Sequence, residues 1–339
     1  MSNISDWFDY KLIRLSNSNG VKVDISDLGA TIVNYLVPAG DKEINIVLGY
    51  DTPEEYLSGG CYFSAVVGPW ANRIAEGRFE LNGETIQVHQ NEGSNHLHGG
   101  KGAIDTQKWV VEASTANSVI LSIKVPEGFN GYPANSELAV SYTLTDDNEL
   151  VIDYKARVDK PMPINLTQHA YFNLTGAEAT HLNHEMQIHA EHFLAVDEKL
   201  IPCEKRPVAG TSMDFRTAKK LGQDIQADEE QVTLSKGFDH CWCLDFDMNE
   251  EPKLAVTVTS PESGMTLETY TNQIGIQLYS GNYIDNEKGR DGQVYQQYDG
   301  FCLETQLYPD QVNMNTAEQA ILKPGQEYRH TTIYKTKVK

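Results

Sequence analysis

The chain has 339 residues, 40% of them hydrophobic and 22% charged, which is enough to bury a core without disulfide or metal staples. Its 48 acidic and 27 basic residues leave a formal net charge of −21. That field repels phosphate backbones and anionic membranes, so neither nucleic acid nor membrane is an expected partner. There is no apolar run of transmembrane length, and Met1-Ser-Asn-Ile-Ser-Asp-Trp7 lacks a basic-then-apolar leader, so the expected location is cytoplasmic.

The five cysteines, Cys61, Cys203, Cys241, Cys243 and Cys302, are sparse and odd in number. That argues against a disulfide framework and fits a reducing compartment. Cys241 and Cys243 form a lone C-x-C without a second pair, which favours buried thiols over zinc.

In chain order, Thr52-Pro-Glu-Glu-Tyr-Leu57 predicts a short helix, with an N-cap, a first-turn proline and first-turn acids. Ala71-Asn-Arg-Ile74 offers Asn72 and Arg73 as donors to hydroxyl oxygens, although Arg73 could equally pair with a surface carboxylate. Phe79-Glu-Leu-Asn-Gly-Glu-Thr-Ile86 predicts a hairpin turning at Asn82-Gly83. In Asn95-His-Leu-His-Gly-Gly100, His96 and His98 would share a strand face and invite a metal. A third ligand is missing, however, and the diglycine marks a tight bend near another group.

Leu150 to Val158 alternates apolar and polar residues and predicts a half-buried strand. Ile164 to Leu174 reads as one strand with Asn165, Thr167, His169, Tyr171 and Asn173 on a polar face. Gly237 to Trp242 sets Asp239 and His240 among aromatics. Leu254, Val256 and Val258, a Pro/Gly-containing turn and a strand from Met265 predict another hairpin. Gln277 and Tyr279 share one face of the strand near Ile274. In Gly300 to Leu307, Glu304 lies among apolar residues, where a carboxyl tends toward a raised pKa suited to a general base. An edge-strand glutamate reaching water is the alternative.

Frequent turn signals and few helices predict an all-β, antiparallel sandwich, with residues 1–339 as one domain. No dinucleotide fingerprint or phosphate loop occurs, so no nucleotide cofactor is expected. The recurring Asn, Gln, His, Asp, Arg and aromatic residues suit a polyhydroxylated ligand.

These residues, taken in order, resemble the aldose 1-epimerases, or galactose mutarotases. The stations are A-N-R-I at 71–74, N-H-L-H-G-G at 95–100, G-Y-P at 131–133 and L-T-Q-H-A-Y-F-N-L at 166–174. M-D-F-R at 213–216, G-F-D-H at 237–240, G-I-Q-L-Y-S-G-N at 275–282 and F-C-L-E-T-Q at 301–306 complete the series. The resemblance implies an antiparallel β-supersandwich with its site in an open groove, and no cofactor or metal. It implies interconversion of the α and β anomers of a free hexose, such as galactose or glucose, through the open-chain aldehyde. Glu304 would be the base at O1 and His169, charged at the outset, the acid at O5. Asn72, Arg73, His98 (not His96), Asp239 and Gln277 would bind the sugar.

An open groove would also admit a disaccharide such as maltose. A hexose 6-phosphate is less expected without a basic cluster. A glycosidase using Glu304 and Asp239, or a non-catalytic sugar-binding relative, are the other readings. Pro69-Trp70, Ala134 and Cys241-Trp242 depart from the common pattern, and changes in the groove wall are expected there. Oligomeric state has no signature in the sequence.

Overall fold

In the computed structural model, residues 3–338 are described. Alternation along Glu149–Val158 buries Leu150, Ile152, Tyr154, Ala156 and Val158, while Lys155 and Arg157 face solvent. This strand is central to a nine-stranded antiparallel sheet. A meander of Val110–Ser114, Ser118–Val125, Ser136–Leu144 and Glu149–Val158 is followed across the sheet by the C-terminal strand Tyr328–Val338. Met265–Thr271, Lys253–Thr259, Glu185–Ile188 and Lys219–Lys220 complete it.

A six-stranded antiparallel sheet runs Tyr171–Phe172, Phe301–Gln306, Gly275–Tyr279, Asp239–Cys243, His192–Val196 and Pro202–Pro207. The chain's first 45 residues supply a five-stranded meander ending at Lys42–Asn45, whose Ile13, Leu15, Val23 and Ile25 join the main core.

The two large sheets meet at the C-terminal strand. Tyr334 donates its hydroxyl to the Leu303 carbonyl at 3.0 Å, and its ring lies 4.9 Å from Phe172. Thr305 bonds both Thr332 and His330. Phe301, Leu303 and Thr305 therefore face the core, and Cys302 and Glu304 face the opposite way. Each fully buried apolar side chain here contributes about 1.5–3 kcal/mol.

The predicted hairpin joins Arg78–Leu81 to Glu84–Gln87, with φ of +55° at Asn82 and +83° at Gly83. The predicted helix spans Pro53–Ser58, and Thr52 and Glu55 cap one another reciprocally. In the hairpin of Lys253–Thr259 and Met265–Thr271, a bulge between Leu254 and Val256 breaks the expected alternation. Ala255 is buried there and Leu254 only half-buried.

Two expectations are corrected. Residues 164–174 do not form one strand with a solvated face. They form two-residue strands, Thr167–Gln168 and Tyr171–Phe172, that join different sheets, and all eleven residues are buried. Asn165 accepts the Leu307 amide at 3.0 Å, and Asn173 donates to the carbonyls of Ala179 and Asp299. Their polarity satisfies buried backbone. Nor do Trp70 and Trp242 form a groove wall, since both are fully buried. Their indoles donate to the carbonyls of Arg73 and Met213. Pro69 and Ala134 are buried as well.

Among the described residues, no helix is long and apolar enough to cross a membrane.

Burial lowers the pKa of seven histidines, His96, His98, His169, His181, His184, His240 and His330. Those of His184 and His330 fall to about 3. Below an ordinary value of about 6.5 the unfolded chain takes up protons that the folded chain refuses. Stability present above pH 6.5 is thus lost on acidification, by about 1.4 kcal/mol per pH unit for each such histidine. Asp105, raised to about 7 by burial, and the other buried acids oppose part of this. Urea denaturation at pH 7.5 and 5.5 should show a marked fall in midpoint at the lower pH. An unchanged midpoint contradicts the assignment.

Candidate active site

One face of the six-stranded sheet carries two cross-strand rows. Tyr171, Cys302, Tyr279 and Asp239 are register partners in sequence across four strands, and Glu304, Gln277 and Cys241 across three. Glu304 therefore sits on an interior strand, 2% exposed, and the water-facing alternative is excluded. A cleft of about 330 Å³ opens over these rows, a size that suits a small ligand.

Connecting segments supply the remaining walls. His169 lies between Thr167–Gln168 and Tyr171–Phe172. Tyr62, Asn72 and His98 enter from turns with φ of +54°, +64° and +49°. The left-handed turn at His98 takes it off the strand His96–Leu97, so the two histidines do not share a face. His96 is instead a core residue, bonded at Nδ1 to the His89 carbonyl and at Nε2 to the Tyr132 hydroxyl. The diglycine does mark a close approach, because a Cβ on Gly99 would lie 1.9 Å from the Gly68 carbonyl oxygen.

The acid–base candidates meet, with His169 Nε2 at 3.7 Å from Glu304 Oε1. Glu304 Oε2 has no hydrogen-bond partner among the described residues. Burial first, and then the charge of Asp239, push the Glu304 pKa well up. Burial lowers that of His169 to about 4. Burial therefore opposes the expected charged His169 beside an ionised Glu304. Desolvation there favours a neutral imidazole and a protonated carboxyl.

Arg73 donates two hydrogen bonds to Glu92, at 2.8 and 2.6 Å, and lies 3.8 Å from Asp239 Oδ2. Gln277 donates to Asp239 Oδ1 at 2.7 Å, and its own carbonyl oxygen is unpartnered among the described residues. It is not among the residues that line the cleft, and it reaches Asp239 from the neighbouring strand Gly275–Tyr279. Burial raises the Asp239 pKa, while Arg73 and Gln277 counter it. The Asn72 amide N–H donates to His98 Nδ1 at 3.1 Å. A neutral His98 must then carry its proton on Nε2 and present a donor.

That tautomer bears on metal binding. Ligand atoms of His98, His169 and Glu304 all lie within 4.8 Å of one another. Ligation through His98 Nε2 would move its proton to Nδ1, against the Asn72 N–H. Of the three, only His169 and Glu304 then keep ligand atoms that need no change of tautomer.

The motifs thus lead to Asn72, Arg73, His98, His169, Asp239 and Glu304 in one cleft, with Gln277 adjoining it. Tyr62, Glu92 and Tyr283 also line it and were missed. The Gly59-Gly60 pair before Tyr62 is a faint turn signal; Glu92 is tied to Arg73 across 19 positions by nothing local. Pro69, Trp70, Cys241 and Trp242 line no part of the cleft.

Two-layer antiparallel sheets with this cleft on one face define a protein of the galactose-mutarotase fold class. Residues 11–335 match the family model described as aldose 1-epimerase. The chain is 37% identical over 329 residues to an aldose 1-epimerase of Escherichia coli K12, covering 96% of this chain and 94% of the relative. It is 42% identical over 321 residues to a galactose mutarotase of Sus scrofa, covering 94% and 91%. A crystal structure of a galactose 1-epimerase from Lactobacillus acidophilus superposes with a TM-score of 0.85 at 30% identity, covering 97% of this chain and 94% of that one. A Caenorhabditis elegans aldose epimerase homologue gives 0.90 at 27% identity, covering 97% and 100%. The chain belongs to the aldose 1-epimerase family, and its fold is the antiparallel β-supersandwich.

Among the described residues that line the cleft, Arg73 is the one lysine or arginine, beside Glu92, Asp239 and Glu304. Replacing it as Arg73→Leu leaves Asp239 buried without a counter-charge, held by Gln277 alone, and should cost about 3 kcal/mol of unfolding free energy at pH 8. A loss below about 1 kcal/mol by urea titration would show that the pair is not coupled.

Proposed function

We propose that this protein interconverts the anomers of a free aldohexose, such as galactose or glucose, with Glu304 as base at O1 and His169 as acid at O5. The observation that carries the reading is the 3.7 Å separation of His169 Nε2 and Glu304 Oε1 in the cleft. Two such groups, on either side of an anomeric centre, suffice for ring opening.

The proton count fits. A neutral imidazole with a protonated carboxyl holds one proton between them. So does an imidazolium with a carboxylate, which is the arrangement that starts the reaction. Glu304 takes the O1 proton while His169 delivers one to O5. The C1–O5 bond breaks and the C1–O1 double bond forms. The pair is then left neutral, the arrangement burial favours. Rotation about C1–C2 presents the other face of the aldehyde. Closure returns the carboxyl proton to O1 and the O5 proton to His169.

Asp239, Arg73, Asn72 and the Nε2–H of His98 are the proposed hydroxyl partners, and Gln277 holds Asp239. Arg73 already serves Glu92 and Asp239, and the cleft offers no other lysine or arginine among its lining residues. A free sugar fits this balance better than a sugar phosphate. A second hollow of about 420 Å³ shares Gly60 and Tyr62 with the cleft, which favours acceptance of a disaccharide such as maltose as a second reading.

Polarimetry of fresh α-D-galactose, α-D-glucose and α-maltose tests this. The native protein should speed the approach to an unchanged equilibrium rotation. Glu304→Gln and His169→Asn should each lower kcat by about 10²–10⁴-fold. No acceleration with any free sugar, or faster turnover of hexose 6-phosphates alone, overturns the proposal.

A further inference from the structure

We infer that Cys302 is a positioning residue for the reaction, its sulfur holding the Nδ1–H of His169 so that only Nε2 exchanges protons with the substrate. This rests on the acid role proposed for His169. Cys302 Sγ lies 3.6 Å from His169 Nδ1 and is the one side chain bonded to that ring nitrogen among the described residues, while the ring's own backbone carbonyl adds a second stabilisation of its charged form. Cys302 is fully buried. It precedes Glu304 by two positions, so both side chains leave the strand on the same face.

The placement has a chemical consequence. During ring opening His169 passes from imidazolium to neutral imidazole by losing the Nε2 proton. Nδ1 keeps its proton in both states and needs one constant acceptor. A thiol sulfur is a weak acceptor. A carboxylate at the same point would stabilise the imidazolium and make it a poorer acid. The thiol leaves the imidazolium strongly acidic, matched to a ring oxygen that is a reluctant proton acceptor. Burial and the neighbouring Glu304 and Asp239 charges push the Cys302 pKa well up, so the sulfur stays a neutral thiol.

The other groups facing His169 are accounted for. Glu304 meets Nε2. The rings of His98 and Tyr171 lie 5.1 Å away, and that of Tyr62 lies 5.7 Å away. Arg73 acts on His98, and Asp239 and Arg73 act on Glu304, whereas neither shifts His169 itself. None of these side chains offers Nδ1 an acceptor, which leaves the Cys302 sulfur and the ring's own backbone carbonyl.

The test compares pH profiles of kcat for the native protein, Cys302→Ser and Cys302→Ala, with His169→Asn as control and circular dichroism to verify folding. The acid limb reports the second protonation of the Glu304–His169 pair. A serine oxygen accepts more strongly than sulfur, so Cys302→Ser should move that limb up by about 0.5–1 pH unit. Cys302→Ala removes the acceptor and should move it down, with a several-fold loss in kcat and little change in KM. Nitrogen-15 NMR of the unmutated protein, with the His169 signal assigned by its loss in His169→Asn, should show Nδ1 protonated throughout the active range. Limbs that coincide in all three proteins, or an unprotonated Nδ1, overturn the inference. Full activity in His169→Asn would instead overturn the acid role on which it rests.

Discussion

The removal of Glu304 and His169 from water governs this molecule. A carboxyl and an imidazole 3.7 Å apart in a solvated groove would form an ordinary ion pair. Beneath a sheet face and a layer of turns, charge separation is disfavoured for both. In the proposed reaction the pair has two arrangements of a single proton, between which a bound sugar would choose. For this to work the strand beneath must be rigid. Packing of Leu303 and Thr305 against Tyr334 and Thr332 supplies that rigidity, so the core face of the strand fixes the position of its chemical face.

The same economy of charge extends across the cleft. Arg73 is shared between a half-exposed Glu92 and a buried Asp239. That sharing keeps Asp239 available to a ligand without leaving it uncompensated. Gln277 adds a neutral donor from the adjacent strand. The chain's overall charge of −21 is thus little guide to a site in which the groups are matched pair by pair.

Local regularities made much of this legible. Alternation identified the strand at 149–158, and an Asn-Gly pair placed the hairpin at 82–83. Glu304 stood out because its strand is mostly apolar. Residues 164–174 show the limit of period-two reasoning. Alternation assumes one sheet with one dry face, whereas this segment crosses between sheets and is buried all round. Its asparagines read as a polar surface although they serve buried backbone. His96 and His98 misled for a related reason, since a positive φ at His98 reverses the direction of one side chain and carries no mark in a residue pattern. Tyr62 and Glu92 reached the cleft through long-range contacts, for which a single sequence offers no local sign.

Asn72, His98 and Tyr62 all stand on left-handed turns, whereas Glu304 and Asp239 stand on interior strands. A one-residue slip in either strand would turn its functional carboxyl into the core. A turn can be rebuilt with only local disturbance. Inheritance therefore acts unevenly on this protein. Under the proposed roles, the base Glu304 is locked to the architecture together with Asp239, while Asn72, His98 and Tyr62 stand where the chain can be rebuilt locally, so descendants could change the sugar they meet more readily than the way its O1 proton is taken.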